Sequence, residues 1–120
     1  MRRVLIVEDD TDTREMLGRF LELEGFQVEK AANGQEALDT LRGGGRASVI
    51  VLDLMMPVMD GWQFRAQQQR DPQLSRIPVV VVTAAGPRNG VPQIEADAWL
   101  PKPIDLDDLL ATITPFCSES

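Results

Sequence analysis

The stretch Val49-Ile50-Val51-Leu52-Asp53-Leu54-Met55-Met56-Pro57 decides the fold. Its first four residues are apolar, three of them β-branched, and they run directly into a carboxylate. A short continuous apolar run bounded by polar residues reads as a strand buried on both faces, as in a parallel sheet. Asp53 then stands at the strand's C-terminal end, the edge at which open α/β sheets bind ligands. Pro57, Asp60 and Gly61 follow as loop chemistry. A rigid strand therefore holds Asp53 and a loop presents it.

Outward from this strand the chain repeats one pattern. Arg3 to Val7 is a first strand running into Glu8, Asp9 and Asp10. Thr11-Asp12 opens a helix, with Glu15 as a capping-box partner and Met16, Leu17, Phe20 and Leu21 at helical spacing. Gly25 closes it. Phe26 to Ala31 is a second strand. Asn33-Gly34 is a turn before a helix marked by Ala37, Leu38 and Leu41, which Gly43-Gly44-Gly45 breaks. After Asp53 a helix starts near Asp60 or Gly61 and runs to about Arg70, with Trp62 packing on its inner face and Gln67-Gln68-Gln69 as a solvated face. Val79 to Val82 is a fourth strand ending at Thr83. Ala98 to Pro101 is a fifth, ending at Lys102-Pro103. Asp105 caps a last helix with Leu106, Leu109, Leu110 and Ile113 inward.

Alternating strands and helices predict an α/β fold with a parallel sheet covered on both faces. The expectation is a flavodoxin-like, doubly wound sheet of five strands in the order 2-1-3-4-5. Residues 85–95 hold Gly86-Pro87, Asn89-Gly90 and Pro92. An interior proline costs a helix about 3 kcal/mol, so the helix between the fourth and fifth strands is expected to be truncated or replaced by a loop.

Composition narrows the function. The chain has 120 residues, the size of one domain, with no linker, repeat or low-complexity tail. A net charge of -7 argues against direct nucleic-acid binding and against an anionic membrane surface. With no histidine, imidazole catalysis and ligation are excluded, and the single Cys117 cannot form an internal disulfide. Met1-Arg2-Arg3 leads into a run too short for a signal peptide or membrane span. A cytoplasmic protein is expected.

In a parallel sheet the C-terminal strand ends share one edge. That edge collects Glu8 and Asp9, Asp53, Thr83 and Lys102. Carboxylates in one crevice repel unless neutralised, and Mg²⁺ suits a few carboxylates together with a phosphate oxygen. A hydroxyl and an ammonium beside it suit a phosphoryl group. Each signal alone has a plainer reading: Glu8-Asp9-Asp10 as a solvated loop or cap, Thr83 as an ordinary strand residue, Lys102 as a surface charge. Their placement at successive strand ends is the specific feature. The methionines Met55, Met56 and Met59 read as loop and core packing, and Cys117 as a small apolar residue near a helix end.

On V-L-I-V-E-D-D at 4–10, V-L-D-L-M-M-P-V-M-D-G at 51–61, V-V-V-T-A at 80–84 and W-L-P-K-P at 99–103, the whole chain resembles the receiver domains of bacterial two-component response regulators. The resemblance implies Asp53 as phosphoacceptor. It implies Glu8, Asp9 and the main-chain carbonyl of Met55 as Mg²⁺ ligands beside Asp53. Thr83 becomes a switch hydroxyl, Lys102 a phosphate-contacting lysine, and Trp99 the switch aromatic. It also implies a cis bond at Lys102-Pro103, and it places Met55 and Ala85 at positions that tune dephosphorylation. The implied partners are a sensor histidine kinase or phosphotransfer protein and an unnamed downstream effector protein, with the receiver a monomer or weak dimer. The expectation is one receiver domain over residues 1–120 with no output domain, catalysing only its own phosphorylation and dephosphorylation. The alternative is a binding module of the same fold that signals without phosphorylation. An aspartyl-phosphate phosphatase of the haloacid-dehalogenase type is disfavoured, because Met55 stands where its second acid would be.

Overall fold

The computed structural model describes residues 2–84 and 96–117. Its strands are β1 (Arg3–Val7), β2 (Gln27–Ala31), β3 (Val49–Asp53), β4 (Val79–Thr83) and β5 (Ala98–Pro101). Its helices are α1 (Thr11–Leu23), α2 (Gly34–Arg42), α3 (Gly61–Arg70) and α4 (Leu106–Ile113), the last continuing into a 3-10 turn at Thr114–Cys117. All strand pairs are parallel, in the order β2-β1-β3-β4-β5. The expected sheet is therefore present. The expectation of a shortened helix between Thr83 and Trp99 falls on residues 85–95, outside the described ones.

Alternation along the central strands divides the core in two. Leu5, Val7, Ile50, Leu52 and Val81 face α2 and α3, meeting Leu38, Leu41 and Phe64. Val4, Ile6, Val51, Val80 and Val82 face α1 and α4, meeting Leu17, Leu21, Leu109 and Ile113. β3 and β4 are buried along their whole length, which is why they read as unbroken apolar runs. Burying one such side chain contributes about 1.5–3 kcal/mol, so the strand that ends in Asp53 is among the best-anchored elements. β2 lies at the edge of the sheet and exposes Gln27, Glu29 and Lys30.

Several local readings change. The cap of α1 is Asp10, not Thr11-Asp12. Its carboxylate accepts from the Thr13 N–H at 2.9 Å and from the Thr13 hydroxyl, leaving Glu15 to pair with Lys30 at 3.1 Å. Asn33-Gly34 is a helix start rather than a free turn. The Asn33 side chain accepts from Glu36 N–H, and Glu36 in return accepts from Ala32 N–H. Gln68 is not solvated. It is fully buried, donating to the carbonyls of Leu74 and Ile77 at 2.9 and 3.1 Å, while its oxygen accepts from Arg65. Met55 does not pack; it is 63% exposed, whereas Met56 and Met59 lean on the core. The second strand starts at Gln27 rather than Phe26, which is buried just before it. Gly25 takes φ 95° just past the end of α1, Asp60 and Gln63 form a reciprocal capping box, and Cys117 is buried. Trp62 lies half-buried against the α2–α3 face.

Candidate phosphoryl-accepting site

The register of the sheet brings the strand ends together. Val7 lies beside Leu52, Asp53 beside Val82, and Thr83 beside Pro101. The residues immediately past Val7 and Pro101 are Glu8 and Lys102. Glu8, Asp53 and Thr83 are 3%, 5% and 3% exposed, a burial unusual for such groups without partners. Lys102 answers two of them: its Nζ lies 2.9 Å from Glu8 Oε1 and 3.1 Å from Asp53 Oδ2.

Asp9 completes the cluster. One carboxylate oxygen from each of Glu8, Asp9 and Asp53 falls within 4.8 Å of the others. Two unit charges at such a separation repel by about 3–4 kcal/mol at an effective dielectric near 20. One ammonium leaves the group with excess negative charge. The strain shows at Asp9, whose carboxyl is raised from its ordinary value, first by loss of solvent and then by the hydrogen bond and charge of Glu8. Lys102 moves the other way from burial. Desolvation disfavours its ammonium, but the hydrogen bond to Glu8 and the charge of Asp53 outweigh that and hold its pKa above the ordinary value. A set of hard, all-oxygen ligands with surplus charge fits a hard divalent cation, and Mg²⁺ is the chemically apt one.

The loops around the cluster are pinned by their own backbones. Arg14, one turn into α1, donates to the carbonyls of Glu8 at 2.8 Å and Asp9 at 3.4 Å, and Asp10 N–H donates to Glu8 Oε2. After β3, Met55 N–H donates to Asp53 Oδ1 at 3.3 Å. Val58 then turns the chain at φ 69° within a three-residue turn closed by Met59 N–H to Pro57 C=O at 2.8 Å. That conformation is strained for a β-branched residue and persists only where the surroundings hold it. Here they do. Gly34 N–H grips Met59 C=O and Gly61 N–H grips Leu54 C=O, each at 2.9 Å. A Cβ at Gly61 would lie 2.8 Å from Leu54 Cα and 2.9 Å from Asp53 O, so no larger residue lets the loop close this way.

Of the residues singled out in the sequence, Glu8, Asp9, Asp53 and Lys102 are in one cluster. Thr83 ends the adjacent strand, and its carbonyl accepts from Lys102 N–H at 3.2 Å. Trp99 lies further back, beside Val81 in the β4–β5 register and half-buried against the α2–α3 face. The Lys102-Pro103 bond is cis, as the resemblance implies. Sequence reasoning missed Arg14. Its only signal was the position four residues after Asp10, which places it over the same helix start.

A family model described as the response regulator receiver domain matches residues 4–114. Response regulator MprA of Mycolicibacterium vanbaalenii is 39% identical over 115 residues, which is 91% of this chain and 47% of that protein. Response regulator Rre1 of Synechocystis is 40% identical over 114 residues, 92% of this chain and 49% of its own length. The chain thus spans about half the length of the curated relatives it matches. Among solved structures, chemotaxis response regulator CheY4 of Vibrio cholerae superposes with a TM-score of 0.83 at 32% identity, covering 97% of this chain and 98% of that one. The signal receiver domain of a histidine kinase from Syntrophus aciditrophicus gives 0.85 at 30% identity, covering 100% and 96%.

Proposed function

The chain belongs to the response regulator receiver domain family of two-component phosphorelay signalling, and from that premise we propose that Asp53 accepts a phosphoryl group from a histidine kinase or phosphotransfer protein. The observation that carries this reading is the Glu8–Asp9–Asp53 cluster with Lys102 bound across it. An Asp53 carboxylate oxygen attacks phosphorus in line, the bond from phosphorus to the donor's imidazole nitrogen breaks, and the electron pair leaves with that nitrogen. The products are an aspartyl phosphate and a free imidazole. Glu8, Asp9, Asp53 and the Met55 carbonyl hold Mg²⁺ in this reading. The bound ion supplies charge neutralisation at the phosphoryl oxygens.

Lys102 changes partner as the reaction proceeds. Its ammonium leaves the Asp53 carboxylate, whose charge is lost on phosphorylation, for an oxygen of the new phosphoryl group. That interaction favours the product state without a proton transfer. The Thr83 hydroxyl turns toward the same group. Trp99 follows into the space released, and the surface around β5 and α4 changes. The phosphoryl group adds nearly two negative charges at a loop edge, enough to bias such a two-state element. The protein turns over no external substrate, and its signal passes to an effector protein through the altered surface.

The test is to phosphorylate the chain with acetyl phosphate and Mg²⁺, trap the acyl phosphate by borohydride reduction and map the product by peptide mass spectrometry. Homoserine at position 53 is expected. Reduction at another carboxylate moves the acceptor. No reduced residue favours the binding module that signals without phosphorylation.

A further inference from the structure

The opposite edge of the sheet carries a feature that phosphoryl chemistry does not use. The loop from α2 to β3 and the loop from α3 to β4 enclose an open cleft of about 530 Å³. Its floor is apolar: Leu41 and Leu74 are buried, and Ala47 and Ile77 are partly so. Its mouth carries Arg42 and Arg46, both exposed, and neither guanidinium has a hydrogen-bond or ion-pair partner among the described residues.

The charge here opposes that of the chain. Residues 40–48 and 69–78 contain four arginines and one acid in a protein of net charge -7. That acid, Asp71, is committed to its own turn, accepting from Gln73 N–H at 2.9 Å. Arg42 and Arg70 stand in the last turns of α2 and α3, where the helix dipole accounts for a cation. Arg46 and Arg76 lie in the loops, and no dipole accounts for them.

The walls are preformed. Gly43 and Gly45 N–H return to the carbonyls of Asp39 and Thr40, and Gln68 holds the carbonyls of Leu74 and Ile77 from beneath. A preformed cleft with an apolar floor and a few polar groups at its rim is the usual form of a binding site.

We propose that this cleft docks an acidic segment of a partner protein, its carboxylates on Arg42 and Arg46 and one aliphatic side chain on the Leu41–Leu74 floor. Paired guanidinium–carboxylate contacts give orientation, and the apolar contact gives the remaining affinity. A short segment fits better than a long polyanion, which the net charge of the chain repels. A second copy of the chain carries the same repulsion. β3 links the cleft to Asp53 across roughly 17 Å, so a partner docked here leaves the acidic edge open.

The experiment uses the full chain and a fluorescein-labelled peptide of alternating glutamate and leucine, read by anisotropy and by amide chemical shifts. Saturable binding is expected, with shifts confined to residues 41–47 and 71–77. Arg42→Glu/Arg46→Glu should weaken it at least about tenfold, Arg42→Lys/Arg46→Lys by less, and high salt should weaken it too. A glutamate–serine peptide should bind more weakly, which separates the apolar contact from charge alone. Circular dichroism checks that the variants fold. Absence of saturable binding, binding indifferent to the arginine reversal, or shifts at another face would overturn the proposal. Inorganic phosphate competing as well as the peptide would assign the cleft to small anions instead. Arginine-dependent self-association in sedimentation would assign it to a second copy, and either result overturns the acidic segment.

Discussion

The two edges of the sheet treat charge in opposite ways. At the C-terminal edge, Asp53 ends a strand and Glu8 and Lys102 directly follow strand ends; all three are largely withdrawn from water, and the lysine ammonium lies within 3.1 Å of each carboxylate. At the N-terminal edge, Arg42 and Arg46 sit at a helix end and in a loop, exposed and unpaired among the described residues. Five strands converge on both edges, so the sheet alone does not make the difference. Placement does. A side chain at a strand terminus inherits the rigidity and register of the strand, so several can be held in mutual contact against their own repulsion. A side chain on a loop keeps its solvent and its freedom until a partner arrives. The first arrangement suits chemistry at one atom, the second recognition.

The largest effect tests whether rigidity also reaches the N-terminal edge. Gln68→Ala should cost about 3 kcal/mol, because it empties a fully buried amide site, takes this donor from the Ile77 carbonyl and leaves the Leu74 carbonyl only the Ile77 N–H. Urea unfolding measures it. A loss below about 1 kcal/mol would mean water replaces the amide and the cleft wall is not pinned.

The next contrasts one cation from each edge. Lys102→Met leaves Glu8 and Asp53 buried without their ammonium and should cost about 2 kcal/mol, between the values for buried and exposed ion pairs. Added Mg²⁺ should recover most of it. Arg46→Met should stay within about 0.5 kcal/mol of wild type, as an exposed substitution does. Equal costs would erase the distinction drawn between the edges.

Asn33→Ala removes the cap of α2 and should cost about 1 kcal/mol. Because Gly34 N–H holds the loop after Asp53 through Met59, Mg²⁺ affinity should fall with it. Calorimetric titration of Mg²⁺ that returned an unchanged affinity would uncouple α2 from the acidic edge.

The smallest effect concerns Cys117, whose buried thiol lies beside Ser48 at the N-terminal edge. Burial raises its thiol from the ordinary value of 9.0. Its folded pKa exceeds the unfolded one, so its contribution to stability is complete below pH 9.0 and declines as pH rises through the folded value. Wild type should lose more stability than Cys117→Ala between about pH 8 and about pH 10. Equal losses would show that the thiol gains solvent without unfolding.

The same contrast explains what could be read in the sequence. Strand ends are legible because an apolar run has a visible terminus, and parallel alternation places all such termini on one edge. That is enough to bring Glu8, Asp9, Asp53, Thr83 and Lys102 to one edge from the sequence alone. The cap of α1 was not legible. Asp10, Thr11 and Asp12 are all competent caps, and only the Thr13 contacts choose among them. Gln68 was not legible either. In a run of three glutamines nothing local marks the buried one; the loop that returns over it does. Arg14 acts through two main-chain carbonyls, a contact that depends on how the β1–α1 loop folds.

The central claim is that the C-terminal edge accepts a phosphoryl group at Asp53 with the help of Mg²⁺. Intact-mass spectrometry after incubation with acetyl phosphate, with and without Mg²⁺, on wild type and Asp53→Asn, tests it most directly. The account predicts a single phosphoryl adduct on wild type that requires Mg²⁺ and is absent from the variant. An adduct that persists in Asp53→Asn or forms equally well without Mg²⁺ would contradict it.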